Sequence, residues 1–242
     1  MRRRTAGLEL LLSIVVASAL VGRAGADECA RTYTVGQVGA TAPRIDGVLD
    51  EDEWPQQRWE SELVFPWRDV PAPETSFIVQ ADGAALYFAF WVADEDVVVA
   101  DGPPGDESLV ARGDRVELFF ARDDKLRDYY TIEIDPEGRV LDYRARFYRH
   151  FDETWDCPGL EVAARRRPGG YDVEGRLPRR ALEGMGLTLP SSRTPLRAGV
   201  FRAEFSHRGG EAPHESWISW VRPWVPRPDF HVPSAFGCFA AP

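Results

Sequence analysis

Glu117 and Glu133 stand in consecutive runs rich in aromatic and β-branched residues, 115–121 (RVELFFA) and 128–135 (DYYTIEID). Side chains alternate along an extended chain, so Glu117 shares a face with Arg115 and Phe119, and Glu133 shares one with Tyr129 and Thr131. If the two runs pair, both carboxylates lie on one side of neighbouring strands, a tolerable geometry for the acid pair of a glycoside hydrolase. Arg144 in the run 139–148 and Arg202 in the run 196–206 stand opposite apolar residues in the same alternating way. Two acids with two arginines are more simply an ion-pair network, and no Ser-His-Asp or metal-hydrolase signature accompanies them. Independent catalysis is therefore not expected. A face that mixes aromatics with Glu and Arg also suits hydroxyl recognition, because charged donors and acceptors make the stronger hydrogen bonds.

A second group of chemically active residues is acidic. Asp94, Asp96, Asp101, Asp106, Glu107 and Asp114 supply hard oxygens over about 20 residues. Without EF-hand spacing, they suggest either a calcium site, with Asp94, Asp96, Asp101 and Asp114 as its ligands, or a solvated acidic loop. The three cysteines, Cys29, Cys157 and Cys238, have no zinc spacing. His150, His207, His214, His231 and Met185 stand in no spacing that marks a haem axial pair.

The elements that must position these residues are strands. Further runs at 75–81 (TSFIVQA), 85–93 (ALYFAFWVA), 160–166, 170–177, 196–206 and 216–220 are short and β-rich. Asp82-Gly83, Pro136-Glu137-Gly138, Gly169-Gly170 and Gly209-Gly210 punctuate them as turns. Only 178–184 reads as helical, with Pro178 in the first turn. Many short strands at this spacing predict an all-β fold, a two-sheet antiparallel β-sandwich of jelly-roll type with one short helix. Alternation assigns one sheet face to plain core (Val116, Leu118, Phe120, Tyr130, Ile132, Ile134) and the other to the aromatic and charged mixture.

Arg2-Arg3-Arg4, an apolar stretch of about 13 residues from Leu8 to Leu20, and Ala24-Gly25-Ala26 read as a secretory signal peptide over 1–26. The apolar stretch is short of the roughly 20 residues that a spanning helix needs. The chain would then be secreted or periplasmic, with a single domain over 27–242 and no membrane attachment after cleavage. The whole chain carries a net charge of −10, and the signal segment contributes four arginines and one glutamate, so the remainder is more acidic still. Such a chain repels phosphate backbones, which makes nucleic acid a poor partner.

From Ile45 onward a series of motifs runs in order. Ile45-Asp46-Gly47 with Trp54 opens it, then Leu86-Tyr87-Phe88 and Asp94-Glu95-Asp96. Gly113-Asp114-x-Val116-Glu117-Leu118-Phe119 and Ile132-Glu133-Ile134-x-Pro136-x-Gly138 follow. Tyr171-Asp172-Val173-Glu174, Ile218-Ser219-Trp220 and Phe230-His231-x-Pro233-x-x-Phe236-Gly237 complete it. In order and spacing the chain resembles the family 9 carbohydrate-binding modules, which are related to the DOMON group, over 45–239.

That resemblance implies a non-catalytic sandwich that binds polysaccharide ends or oligosaccharides of plant type, often beside glycoside hydrolases, and makes calcium common. It also implies a clamp of two Trp around a terminal sugar. One clamp position falls at Ala111 and the other at Phe230, Glu117 matches the acidic floor residue, and Glu133 stands where the family has an Arg. The sugar site is therefore expected at Phe230, His231 and Trp224 of the segment 221–233, with Glu117, Glu133, Arg144 and Arg202 as polar partners. The cysteines allow three pairings, of which Cys29–Cys238 is favoured because first and last strands of such sandwiches often lie side by side. A monomer is expected. A structural or adhesion sandwich without a sugar, and a haem-binding DOMON-like domain, are the alternative readings.

Overall fold

The computed structural model describes residues 29–50, 52–207 and 212–242; the expected signal segment and the Gly209-Gly210 turn lie outside them. In chain order the first strands are β1 (Thr32–Thr34), β2 (Gly36–Gln37), β3 (Thr75–Ala81), β4 (Ala85–Ala93), β5 (Arg115–Ala121) and β6 (Tyr129–Ile134). They are followed by β7 (Val140–Arg146), β8 (His150–Asp152), β9 (Glu161–Arg167) and β10 (Gly170–Pro178). The helix α1 (Arg179–Gly184) comes next, then β11 (Leu196–Ser206), β12 (His214–Ser219) and β13 (Gly237–Ala240). The helix begins where the sequence places it, with Pro178 as its N-cap residue.

Among the described residues the strands form two sheets. One has the order β1-β13-β11-β5-β6-β7-β8, with β12 also on β11; the other has the order β2-β3-β4-β10-β9. The expected antiparallel pairing holds in the interior of both sheets and fails at an edge of each, where β1 runs parallel to β13 and β2 parallel to β3. The reason lies in one short segment: the chain passes directly from β1 in the first sheet to β2 in the second, so it lines the same edge of both. The disulfide Cys29–Cys238 fastens that edge, with Cα atoms 5.7 Å apart. Cys157 is a buried free thiol, and burial followed by the charge of Asp142 pushes it up to about 12.

Between the sheets lies the main core, where Phe88, Phe90 and Val173 meet Val116, Leu118, Phe120, Ile132 and Ile134. This is the face that alternation assigned to core. The opposite face of the larger sheet carries the expected mixture of aromatic and charged residues, but most of it is covered. All residues of β5 and β6 are buried. Phe119, Tyr129, Phe201 and Ala145 form a second core there, roofed by Phe230, Val232, Ala235 and Phe236 of the C-terminal segment. The outer face of the smaller sheet is partly covered as well, by Trp54, Ile45, Leu49 and Trp59 packed on Ile78, Tyr87 and Ala89.

Several of the ordered motifs are joints of this frame. Glu174 of β10 accepts hydrogen bonds from the backbone N–H groups of Asp46 (3.1 Å) and Gly47 (2.6 Å) and from Trp54 Nε1 (2.6 Å). Ile-Asp-Gly, Trp and Val-Glu are thus one buried network, and Gly47 adopts φ +82, which favours glycine. Asp114 accepts from Val98 N (2.6 Å) and Phe205 N (2.8 Å), tying the long loop to β11. Gly113 before it has no room for a side chain: a Cβ would lie 2.5 Å from Val98 O.

Candidate functional site

The C-terminal roof covers only part of the outer face of the larger sheet, and a pocket of about 260 Å³ opens beside it. Register builds its floor. Glu117 pairs directly with Glu133 across β5 and β6, and Leu141 stands beside Glu133 on β7. Arg115 lies opposite Ala203, which pairs on its other side with Trp217 of β12. Trp217, Phe230 and His231 wall one side; Tyr143, Arg149 and Phe151, from β7 and the hairpin into β8, wall another.

Two carboxylates share this floor with one guanidinium. Arg115 Nε donates to Glu133 Oε2 at 2.7 Å and lies 3.0 Å from Glu117 Oε1. Tyr143 donates its hydroxyl to Glu133 Oε1 at 2.8 Å. Arg115 spends its Nε hydrogen on Glu133, and Glu117 Oε1 is left buried without a hydrogen-bond partner. Burial, then the neighbouring Glu133, pushes Glu117 up to about 8. Burial works against the Arg115 charge, but Glu117 and Glu133 more than offset it and hold the guanidinium ionised. Trp217 lies against that guanidinium at 5.4 Å. His231 contacts Tyr129 through Nδ1 at 2.9 Å, and burial lowers it to about 4, leaving a neutral ring against Phe151 and Phe119.

The structure brings Glu117, Glu133, Phe230 and His231 together in this pocket, with Ala111 at its rim. Phe230 is not the free stacking wall that the resemblance implied. Its ring is 4% exposed, stacked on Phe201 at 4.1 Å and 12° and edge-on to Trp217 at 5.5 Å. Trp224 is 87% exposed and outside the pocket lining. Arg144 points to the other side of β7 and binds Asp128. Arg202 also faces the other way, because Phe201 takes the place beside Glu117 and alternation turns the next residue inward. It is fully buried between the sheets, donating to Thr75 Oγ1 (3.1 Å), Ala93 O (2.9 Å) and Asp94 Oδ2 (3.0 Å) and pairing with Glu204. Arg115, Tyr143, Phe151 and Trp217 lie outside the expected set of site residues. Arg115 was legible from alternation alone, whereas Tyr143, Phe151 and Trp217 needed the register.

The expected calcium ligands part company as well. Asp94 and Asp114 converge, but with Glu204 as their third member. Asp96 binds His207 instead, and Asp101 lines a separate surface hollow near Arg139. The converging trio already contains Arg202 as its cation, and both Asp114 oxygens accept backbone N–H groups. A calcium ion asks for six to eight free oxygens, and these residues do not fit that cage. As for haem, Met185 is packed in the main core and His231 is held by Tyr129, so they offer no axial pair.

Residues 45–240 match the family model described as carbohydrate family 9 binding domain-like. Among solved structures, the fold is similar to that of a candidate carbohydrate-binding protein from Bacteroides uniformis ATCC 8492. The TM-score is 0.64 at 17% identity, covering 88% of this chain and 99% of that one. It is also similar to a family 9 carbohydrate-binding module from Caldicellulosiruptor kristjanssonii in complex with glucose, with TM-score 0.55, 17% identity, and 88% and 96% coverage. The same family in complex with cellotriose gives 0.54, 17%, and 87% and 93%. No curated protein sequence matches the chain. With the model spanning most of its length, the chain belongs to the carbohydrate family 9 binding domain-like family.

Proposed function

We propose that the protein is an exported, non-catalytic sugar-binding domain whose ligand enters the pocket over Glu117 and Glu133. One observation carries the reading: Glu117 Oε1 is buried in the pocket floor beside the Arg115 guanidinium and without a hydrogen-bond partner. Such a group costs about 1–3 kcal/mol, and a ligand hydroxyl relieves it. Trp217 and Phe151 offer apolar surfaces for the C–H faces of a pyranose, and Tyr143 and Arg115 hold the polar floor still. The pocket, at about 260 Å³, is below the roughly 300–1,000 Å³ of sites for drug-sized ligands. That size favours one sugar ring at a chain end. Similar structures that hold glucose and cellotriose support glucose-type ends as the ligand class. The acids bind each other through Arg115, with side chains only 2% and 6% exposed, which supports binding over hydrolysis. Export is supported by the disulfide, since such bonds persist in oxidising compartments.

Calorimetry with glucose and cellotriose tests the proposal. Binding no tighter than micromolar is expected, at least tenfold weaker in Trp217→Ala and Phe151→Ala, without release of reducing sugar. Absence of binding to either sugar, or wild-type affinity in both variants, would overturn it and favour a structural use of the fold.

A further inference from the structure

On the opposite side of the molecule, the segment that packs on the smaller sheet leaves part of its outer face open. The open part is a groove of about 770 Å³, larger than the Glu117 pocket. Its floor includes Ser76, Trp91 and Asp172 on three adjacent strands, and Trp59 stands at its wall. Both indoles are partly exposed. The Trp59 Nε1 donor has no acceptor among the described residues.

The charge of the groove is unusual for this chain. Against a net −10 overall, its lining carries Arg165, Arg166 and Arg167 with two acids, Glu74 and Asp172. Two of these arginines are engaged. Arg167 stacks on Trp91 at 4.3 Å and donates to Asp172 (2.9 Å) and Val92 O (2.8 Å). Arg166 pairs with Glu137 at 2.8 Å. Arg165 is exposed, stands opposite Asp172 in the β9–β10 register, and its guanidinium has no short-range ion pair of its own among the described residues. A guanidinium is a planar fork of donors matched to a carboxylate, and an aromatic plane beside it takes the C–H face of a sugar ring.

We infer that this groove is a second saccharide site, built for a sugar chain that carries carboxylates. An acidic polymer is repelled by most of this acidic molecule, whereas here three arginines balance the nearby acids and the exposed Arg165 stands beside the indoles to receive a carboxylate. Because the two sites open on opposite outer faces of the sandwich, one molecule can hold two chains at once.

The test is a titration of the full protein with tri-galacturonate, with cellotriose as its uncharged counterpart. Tri-galacturonate is expected to bind without being displaced by saturating cellotriose. Arg165→Glu, at an exposed site that leaves the core untouched, should weaken it at least tenfold, and Trp91→Ala likewise. Cellotriose affinity should be unchanged in Arg165→Glu. No binding of tri-galacturonate, binding that Arg165→Glu leaves intact, or displacement by cellotriose would each overturn the inference. Since the acidic ligand is read separately, failure of cellotriose to bind would strike the Glu117 pocket and leave this site standing.

Discussion

Phe230 shows how a residue can be in the right place with the wrong role. Its ring closes the pocket, yet one face is spent on Phe201 and one edge on Trp217. Phe230→Ala is therefore expected to lose about 3–5 kcal/mol of stability, visible as a lower urea midpoint, and any loss of sugar affinity would follow from that collapse. Glu117 behaves in the opposite way. Folded, it titrates at about 8, far above the roughly 4.3 of an unfolded glutamate. Glu117→Gln should leave the melting temperature nearly unchanged near pH 3, where the wild-type glutamate is protonated in both the folded and the unfolded chain. At pH 9 the variant should melt higher than wild type, because it has no proton to lose. A variant that melts lower at both pH values would refute the assignment.

At the scale of elements, the joints are polar and few. Trp54→Phe removes the Nε1 donor to Glu174 and leaves a buried carboxylate oxygen unpaired, which should cost about 1–3 kcal/mol in chemical denaturation. The N-terminal edge is held differently. β1 is three residues long and pairs in parallel with β13, so the Cys29–Cys238 bond fixes what the ladder holds only weakly. Reduction, or Cys29→Ser, should lower stability by about 2–5 kcal/mol, with the protein still folded. Equal denaturation curves with and without reductant would show that the edge stands without its bond.

For the whole molecule, the buried acids set the pH profile. Glu117 and Asp114 both titrate at about 8 in the fold, Asp114 through burial and then the charge of Asp94. An acid raised in this way contributes stability that is complete below its unfolded pKa of about 4 and is lost as pH rises through about 8. His231 runs the other way: lowered to about 4 by burial, it contributes stability above about 6.5 that is lost as pH falls through about 4. Above pH 6.5 the histidine is silent, so the melting temperature should fall from pH 6.5 to about 8 and level off toward pH 9. A flat or rising profile over that window would mean that Glu117 and Asp114 are ionised in the fold.

The sequence alone determined whatever depends on neighbours along the chain. The strand at Thr75–Ala81, the turn at Gly138 and the helix after Pro178 follow from local preferences and period-two alternation. The spaced motifs were legible because they are joints, and joints constrain residue type: Gly47 by its φ, Gly113 by the backbone against it, Glu174 by three donors converging on it. Tertiary structure decided which faces are covered and which charges meet. Alternation says that Arg202 opposes Phe201, but only the register puts Phe201 beside Glu117 and drives Arg202 into the space between the sheets. Likewise, nothing local says that the C-terminal segment folds over Phe119 and Tyr129, which buries much of the mixed aromatic and charged face as a second core and leaves a pocket at its margin. Such contacts join residues about 100 apart, such as Tyr129 and His231, and no spacing within a short window of sequence records them.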